Sequence, residues 1–216
     1  DRDGALIELQ DTKFSGRFDN PKLSTAFSYD FGGGVLANLN LSYGVDYYSR
    51  QEPETGTRAS GETRTRESRT DEDGPFYELG GDIQFPFGPG SLKLIGLERF
   101  ERDNYASTLI DRFSDGTPSR GSRFQQTNGE GERIGRFEYD WRLWKADWQL
   151  SGEAAFNRLD RRSRLFELEA GDEFVERAFP QGTGGVTEDR YEASLSVSRS
   201  LSRTLSVQLI GAMEFS

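Results

Sequence analysis

The chain has 216 residues and a composition that is polar overall yet rich in aromatic side chains. Hydrophobic residues make up 33% and aromatic residues 12%, and the mean hydropathy is -0.75. An excess of 37 acidic over 27 basic residues gives a net charge of -10, which argues against nucleic-acid binding. Cysteine and histidine are absent, which excludes disulfides, Cys nucleophiles, Ser-His-Asp triads and most zinc sites. Because disordered chains are poor in aromatic residues, the composition favours a β protein with its apolar side chains on one surface.

Alternation of apolar and polar residues predicts strands in chain order. Apolar side chains mostly occupy the odd positions of 23–31 and of 35–47, and three glycines separate the two runs, so a hairpin is predicted over about 21–48. The same pattern predicts hairpins over about 76–100, 132–157 and 190–216, which makes eight long strands. In the second of these, Leu92 and Leu94 compete with Ile95 and Leu97 for the apolar face. The register there stays open, and a bulge is one explanation.

Three long polar segments join the hairpins, at about 49–75, 101–131 and 158–189. Short turns alternating with long loops are typical of transmembrane barrels, whose long loops are extracellular, whereas loops above ~12–15 residues are uncommon in soluble domains. The strands, at roughly 10–14 residues, exceed the ~5–6 of soluble sheets. No run of 18 apolar residues predicts a membrane helix, and residues 1–20 lack the layout of a signal peptide. We therefore expect residues 1–216 to form part of one all-β domain, an antiparallel transmembrane β-barrel in the bacterial outer membrane, with a soluble β-sandwich as the alternative.

The alternation also assigns the two faces of this sheet. The apolar positions are expected to face lipid: Val35, Leu39, Leu41, Tyr43, Val45, Leu79, Ile83, Phe85, Leu150, Leu195, Val197, Val207 and Leu209. Aromatic residues beside the short turns are expected to form an interfacial belt: Phe31, Phe87, Trp141, Trp144 and Trp148. The polar positions are expected to face the lumen: Asn38, Asn40, Asp82, Arg136, Glu138, Asp140, Arg142, Glu153, Glu192 and Gln208.

Three stretches resemble the barrel region of TonB-dependent outer-membrane receptors: FSGRFDNPKLSTAFSYDFGGG (14–34), GERIGRFEYDWRLWKADWQLSGEAAFNRLDRRSRLFEL (131–168) and FPQGTGGVTEDRYEASLSVSRSLSRTLSVQLIGAMEFS (179–216). The resemblance covers about half of the chain. It implies uptake of a scarce ligand, such as a siderophore, metal complex, vitamin or glycan, through a plugged barrel. It also implies that an inner-membrane TonB-type complex supplies energy through the plug.

The sequence departs from that pattern in several respects. No TonB box and no plug domain is recognisable, and Phe215 is followed by Ser216 where the family ends on an aromatic residue. Eight strands also fall short of the 22 of a plugged transporter. We therefore expect an internal segment of a longer chain. A small closed eight-stranded barrel with a structural or interaction role, and a passive porin, remain alternative functions.

The outer-membrane barrel interpretation also predicts partners and argues against catalysis. Outer-membrane lipid and lipopolysaccharide are the expected partners besides the energising complex, and no cofactor is expected. An enzyme is the class least favoured, because no nucleophile lies beside a base in the sequence pattern. Ligand specificity is expected in loop tips and plug surfaces, which sequence patterns do not resolve.

Several smaller motifs have a functional and an ordinary interpretation. Asp1-Arg2-Asp3-Gly4 and Asp71-Glu72-Asp73-Gly74 begin like calcium loops, but the twelfth positions are Thr12 and Asp82, so we interpret both as acidic loops. Glu167 and Glu169 are interpreted as surface charge rather than as an acid-base pair. The glycines at 182, 184 and 185 lack a following Lys-Ser/Thr and are interpreted as a loop tip.

Two charged groups remain open between functional and ordinary interpretations. Arg161, Arg162 and Arg164 suit lipopolysaccharide phosphates or a solvated strand extension equally well. The polar rows of 136–142 and 147–153 suit a substrate path, but we favour a lumen wall whose opposite charges neutralise each other across neighbouring strands.

Overall fold

A computed structural model describes residues 7–216, which form a single antiparallel sheet of eleven strands. No helix in this part of the chain is long and apolar enough to cross a membrane. The expected all-β meander of long hairpins is confirmed. The strands are β1 Glu8–Thr12, β2 Ser15–Asp19, β3 Lys22–Gly32, β4 Val35–Arg58, β5 Thr63–Phe87, β6 Gly90–Phe113, β7 Arg120–Leu143, β8 Ala146–Glu169, β9 Glu173–Arg177, β10 Thr183–Ser200 and β11 Ser206–Phe215.

The eleven strands occupy eight positions in the sheet, as the sequence predicts. Strands β1, β2 and β3 all pair with β4 in one shared register, so they act as one interrupted strand. One interruption falls at Pro21, which has no N–H to donate, although its carbonyl accepts a hydrogen bond from Val45 at 3.1 Å. The short β9 pairs only with β8, and the order then continues β4-β5-β6-β7-β8-β10-β11.

The three predicted long loops are wrong in their main part, because most of their residues extend the strands. Strand β4 runs on to Arg58 and β5 begins at Thr63, so 49–75 is a strand pair closed by residues 59–62. Likewise β6 and β7 leave only 114–119 between them, and 158–189 contains the end of β8, all of β9 and the start of β10. Both faces are polar in the 49–75 pair, and the other extensions carry only scattered apolar residues such as Ile110 and Leu165. The alternation therefore disappears, while the backbone ladder and cross-strand ion pairs continue.

The short turns that close the hairpins are where the sequence predicts them. Gly32, Gly33 and Gly34 all have positive φ, and so does Gly88 at 56°. The turn between β7 and β8 uses Trp144 and Lys145 at φ of 54° and 58°, a conformation that non-glycine residues adopt only at a cost. Two consecutive positive φ angles match a type I′ turn, whose twist suits a two-residue hairpin.

The strands are staggered relative to the line of turns. One row in register runs through Leu36, Gln84, Lys93, Glu138, Ser151, Ser194 and Ala212. These residues lie one, three, five and six residues from the ends of their successive hairpins. The stagger amounts to five residues over the six steps from β4 to β11. With ~3.3 Å per residue and ~4.8 Å between strands, it inclines the strands by about 30°. Within residues 7–216 the sheet stays open, with β1–β3 at one edge and β11 at the other.

We predict that Gly88→Ala lowers the free energy of unfolding by about 1 kcal/mol, because an L-residue is strained at positive φ. Space is not the reason, since an added Cβ would lie 3.7 Å from the Tyr139 hydroxyl. Urea titration of the folded protein measures the change. Gly96→Ala is the matched control, because the added Cβ would meet nothing within 4 Å and φ there is not positive. Equal losses in the two variants would contradict the assignment of the cost to φ.

Candidate functional site

The register places every residue expected to face lipid on one side of the sheet, here called the apolar face. Pairs such as Leu41 with Leu79 and Leu150 with Leu195 are direct cross-strand neighbours. The register of β6 is now settled: Leu92 and Leu94 pair with Phe85 and Ile83 and join the apolar face, and Ile95 and Leu97 lie on the opposite, polar face. No bulge occurs at this point.

Nothing among residues 7–216 covers the apolar face. Only two hydrophobic residues of this part of the chain are buried, Ala146 and Ala155. Large apolar side chains stay exposed instead, with Leu39 at 49% and Leu195 at 43% of their full accessibility. A soluble sheet buries such a face against a second layer, and none is present in the described strands.

Aromatic side chains form a row across the apolar face beside the short turns, here called the turn-side row. Ring centroids lie 5.9 Å apart between Phe87 and Tyr139, 5.1 Å between Tyr139 and Trp141, and 6.1 Å between Trp141 and Trp148. The predicted belt residues Phe87, Trp141 and Trp148 therefore lie together. Phe31 lies at the register shift that ends β3, where its ring meets Tyr29, and Trp144 lies in the turn itself.

A second aromatic row crosses the same face further from the turns, here called the far row. Its members lie eight to ten residues from the start or end of their hairpin: Tyr43, Tyr77, Phe100, Phe156, Tyr191 and Phe215. Tyr77 and Phe100 are 5.8 Å apart, and Phe156 and Tyr191 are 6.1 Å apart. Sequence analysis missed this row, although counting residues from each predicted turn gives a signal for it.

All the residues expected to face a lumen lie on the polar face: Asn38, Asn40, Asp82, Arg136, Glu138, Asp140, Arg142, Glu153, Glu192 and Gln208. Their charges are largely paired. Asp82 accepts a hydrogen bond from Asn38 at 3.1 Å and lies 3.5 Å from Lys93. Glu153 lies 3.6 Å from Arg136 and 3.2 Å from Arg190. The favoured interpretation, a wall of charges that neutralise each other across strands, agrees with this geometry.

An ion-pair cluster joins four strands at the far end of the polar face. Arg64 of β5 reaches Glu8 of β1 at 3.2 Å, Glu54 of β4 at 2.5 Å and Asp111 of β6 at 3.7 Å. Arg66 donates two hydrogen bonds to Asp111, at 2.7 and 2.9 Å. This bidentate hydrogen bonding, together with the charges of both arginines, lowers the pKa of Asp111 below its usual value. The cluster fixes the ends of strands that have no apolar face to hold them.

The smaller candidate motifs separate into different environments. Asp1-Arg2-Asp3-Gly4 lies outside the described residues. The acidic loop expected at 71–74 is wrong, because these residues belong to β5, where Asp71 pairs with Arg69 and Asp73 accepts from Asn104 at 2.9 Å. Among residues 7–216 no group of acidic side chains is arranged to hold a metal ion.

The other carboxylates and glycines have structural roles. Glu167 and Glu169 both bind Arg177, at 2.8 and 2.7 Å, as expected of surface charge. Gly182 lies in a turn, where its N–H donates to Phe179 and its carbonyl accepts from Ser163. Gly184 and Gly185 are part of β10, so the predicted loop tip is wrong for these two.

The cluster of Arg161, Arg162 and Arg164 is divided by the strand on which it lies. Arg161 points to the polar face and donates to Asn128 at 3.1 Å. Arg164 is held by Glu176 through bonds of 2.9 and 2.5 Å. Arg162 lies on the side of the apolar face and forms no salt bridge with any described residue. The three arginines therefore do not act as one site.

No protein-family model and no curated protein matches the sequence. Among solved structures, the chain is similar to the translocator domain of the autotransporter NalP from Neisseria meningitidis, at 14% identity and a TM-score of 0.28, covering 98% of this chain and 68% of that one. It is also similar to BauA, the ferric preacinetobactin receptor from Acinetobacter baumannii, at 9% identity and a TM-score of 0.36, covering 97% and 42%. A third is the outer membrane transporter YddB from Escherichia coli, at 8% identity and a TM-score of 0.32, covering 92% and 34%.

These similarities are too low to assign the chain a family or a function. The chain spans 34% of YddB and 42% of BauA. Evidence for the function therefore comes from the geometry of the two faces.

We predict that Asp111→Asn destabilises the protein by about 1–2 kcal/mol at pH 7, because it weakens the charge-assisted bonds to Arg66. A lowered pKa in the folded state contributes stability above the unfolded pKa, near 3.8, and loses it as pH falls through the folded pKa. The difference between wild type and variant should therefore shrink below pH 4 in urea titrations. Glu67→Gln is the control, since Glu67 pairs with Arg112 at 3.1 Å while 61% exposed and should change little. A constant difference at every pH would contradict the role of this carboxylate.

Proposed function

We propose that these strands form part of the wall of a β-barrel in the bacterial outer membrane, and that the barrel is a TonB-dependent receptor importing a scarce ligand. The observation that carries the membrane part is the pair of aromatic rows on an uncovered apolar face. Outer-membrane barrels have an outward apolar band about 25 Å tall between two aromatic girdles.

The separation of the two rows supports this placement. Ten residues separate Phe87 from Tyr77 on β5, and eight separate Trp148 from Phe156 on β8. At ~3.3 Å per residue, inclined by about 30°, these separations span about 23–29 Å along the barrel axis. Apart from the pair Glu98 and Arg133, 3.1 Å apart beside the far row, the apolar face carries no charged side chain between the rows. The inclination of about 30° is close to the lower end of the 35–45° range typical of such barrels.

The backbone gives a second reason for a barrel. In hydrocarbon every unpaired N–H or C=O costs several kcal/mol, so the edges at β3 and β11 need partners. Further strands of a larger barrel, or closure of one edge on the other, would supply these partners. A soluble β-sandwich would instead need a second sheet over the apolar face, which the described strands do not supply.

The receptor part of the proposal rests on the sequence resemblance and on the polar strand extensions. The extensions carry β4 to β8 well beyond the far row, with largely polar side chains on both faces. Such a projecting wall suits capture of a siderophore, metal complex, vitamin or glycan before passage through a plugged lumen. Lipopolysaccharide around the barrel and an inner-membrane TonB-type complex acting through a plug are the partners this function needs.

We predict that the intrinsic fluorescence of the protein reports the depth of the turn-side row in a bilayer. The chain has three tryptophans, and Trp141, Trp144 and Trp148 all lie in or beside that row. Lipids brominated near the glycerol end of their chains should therefore quench the emission more than lipids brominated near the methyl end. The measurement uses the protein reconstituted in vesicles of each lipid.

Trp144→Phe provides the control for this measurement, because Trp144 is 76% exposed in the turn and lies furthest from the apolar band. The variant should keep the preference for shallow bromines through Trp141 and Trp148. Emission that is insensitive to both lipids, yet fully quenched by acrylamide from the water, would reject the membrane placement.

The second candidate function is a small closed eight-stranded barrel with a structural or interaction role. The specific observation in its favour is the count of eight positions in the sheet, which in such a barrel would bring β3 beside β11. A receptor barrel has many more strands and would keep these two edges apart.

Cross-linking distinguishes the two candidates, and the chain has no cysteine to interfere. Cysteine pairs at matching heights on β3 and β11, starting with Ala26→Cys and Ala212→Cys and moving along both strands, are oxidised in the folded protein. The receptor predicts no disulfide from any pair, because bridged Cα atoms must lie within about 7 Å. Efficient cross-linking of one pair would favour the small barrel. Ser151→Cys with Ser194→Cys, whose hydroxyls are 2.7 Å apart, is the positive control.

A further inference from the structure

A cleft of about 720 Å³ opens on the apolar-face side of the sheet, directly beyond the far row. Its floor includes Gly129 and Gly131 of β7, which are neighbours of Arg102 and Phe100 on β6 and of Asp160 and Arg158 on β8. A Cβ added at Gly129 would meet nothing within 4 Å, so packing does not require glycine there. Glycine within a strand weakens it and often marks a place where another molecule approaches closely.

Arginines outnumber carboxylates on the apolar-face side of this cleft, although the whole chain carries a net charge of -10. The charged residues that point to that side are Arg102, Arg133, Arg158 and Arg162, with Glu98, Asp160 and Asp189. Arg133 is paired with Glu98 and Arg158 with Asp160. Arg102 and Arg162 form no salt bridge with any described residue. They lie on β6 and β8, on either side of the glycine floor and roughly 10–12 Å apart at their Cα atoms, a gap that two long side chains can share.

The lower end of the cleft is aromatic. Tyr77, Phe100 and Phe156 of the far row line it beneath the arginines. The cleft therefore joins an apolar band below to unpaired guanidinium groups above. This sequence of an apolar end and a cationic end matches a membrane amphiphile whose acyl chains lie in the bilayer and whose phosphate lies just outside it.

We propose that this cleft binds the phosphate of a phosphorylated outer-leaflet glycolipid, with Arg102 and Arg162 as the direct ligands. The inference rests on the proposed membrane placement and adds a specific lipid partner to it. Two guanidinium groups match a phosphate because each presents planar, paired N–H donors to its oxygens. The bare glycine floor leaves room for the headgroup sugar against the backbone.

The test measures retention of lipid A by the full protein in detergent micelles, using native mass spectrometry over a range of lipid concentrations. The double variant Arg102→Gln with Arg162→Gln should bind lipid A at least tenfold more weakly than wild type. Gly129→Val should also weaken binding by filling the floor without changing any charge. Arg199→Gln is the matched control: Arg199 is an arginine on the same face without a salt bridge among the described residues, but it lies next to the turns of the opposite end.

The outcomes separate this inference from the proposed function. Equal affinity of wild type and double variant, an equal loss in Arg199→Gln, or equal binding of dephosphorylated lipid A would overturn the inference. Displacement of lipid A by millimolar inorganic phosphate would also overturn it, because the site would then serve a soluble anion. Loss of the bromolipid quenching of the tryptophans would instead reject the membrane placement. A tenfold loss confined to the cleft variants, in a protein whose tryptophans are quenched, supports both.

Discussion

The hydrogen-bonded register between neighbouring strands is the constraint on which the two faces depend. Side chains alternate along a strand, so a slip of one residue between two strands would exchange their apolar and polar positions. From β4 to β11 the register continues without a shift, and the one shift among the described strands lies at the end of β3, between Asp30 and Gly32. Because the register is kept, an apolar band and a charged wall coexist on opposite sides of one sheet that has no buried core.

The sequence predicts the strands best where the two faces differ most in polarity. Leu39, Leu41 and Tyr43 alternate with asparagine and serine, so the strand and its apolar side follow directly from the pattern. The same alternation does not assign the apolar face of β6, because Leu94 and Ile95 are adjacent and both apolar. Pairing with Ile83 decides in favour of Leu94, and this is information about a neighbouring strand that local alternation does not contain.

The sequence pattern did not predict the strand extensions. Between Ser49 and Pro75 both faces are polar, so periodicity in hydropathy vanishes and the segment reads as a loop. Salt bridges between neighbouring strands stabilise this segment, because Arg64 and Arg66 reach carboxylates on β1, β4 and β6. Cross-strand partners of this kind lie 10 to 56 residues away in sequence, so no local window detects them. The cleft could not be predicted for the same reason, since the arginines of its two sides are far apart in sequence and become neighbours only when β6, β7 and β8 pair.

Because the connections between the extended strands are short, this end of the sheet can accept inserted residues at only a few places. Residues 59–62 and 114–119 are the places where the extended hairpins leave the ladder, and around them almost every backbone group is engaged with a neighbour. Insertions are accommodated where backbone is free of such bonds. An epitope or a foreign segment would therefore be accepted at these few tips, whereas the same insertion ten residues lower would split a hydrogen-bonded wall. Variation among related chains should accordingly concentrate at the tips and leave the length of the wall unchanged.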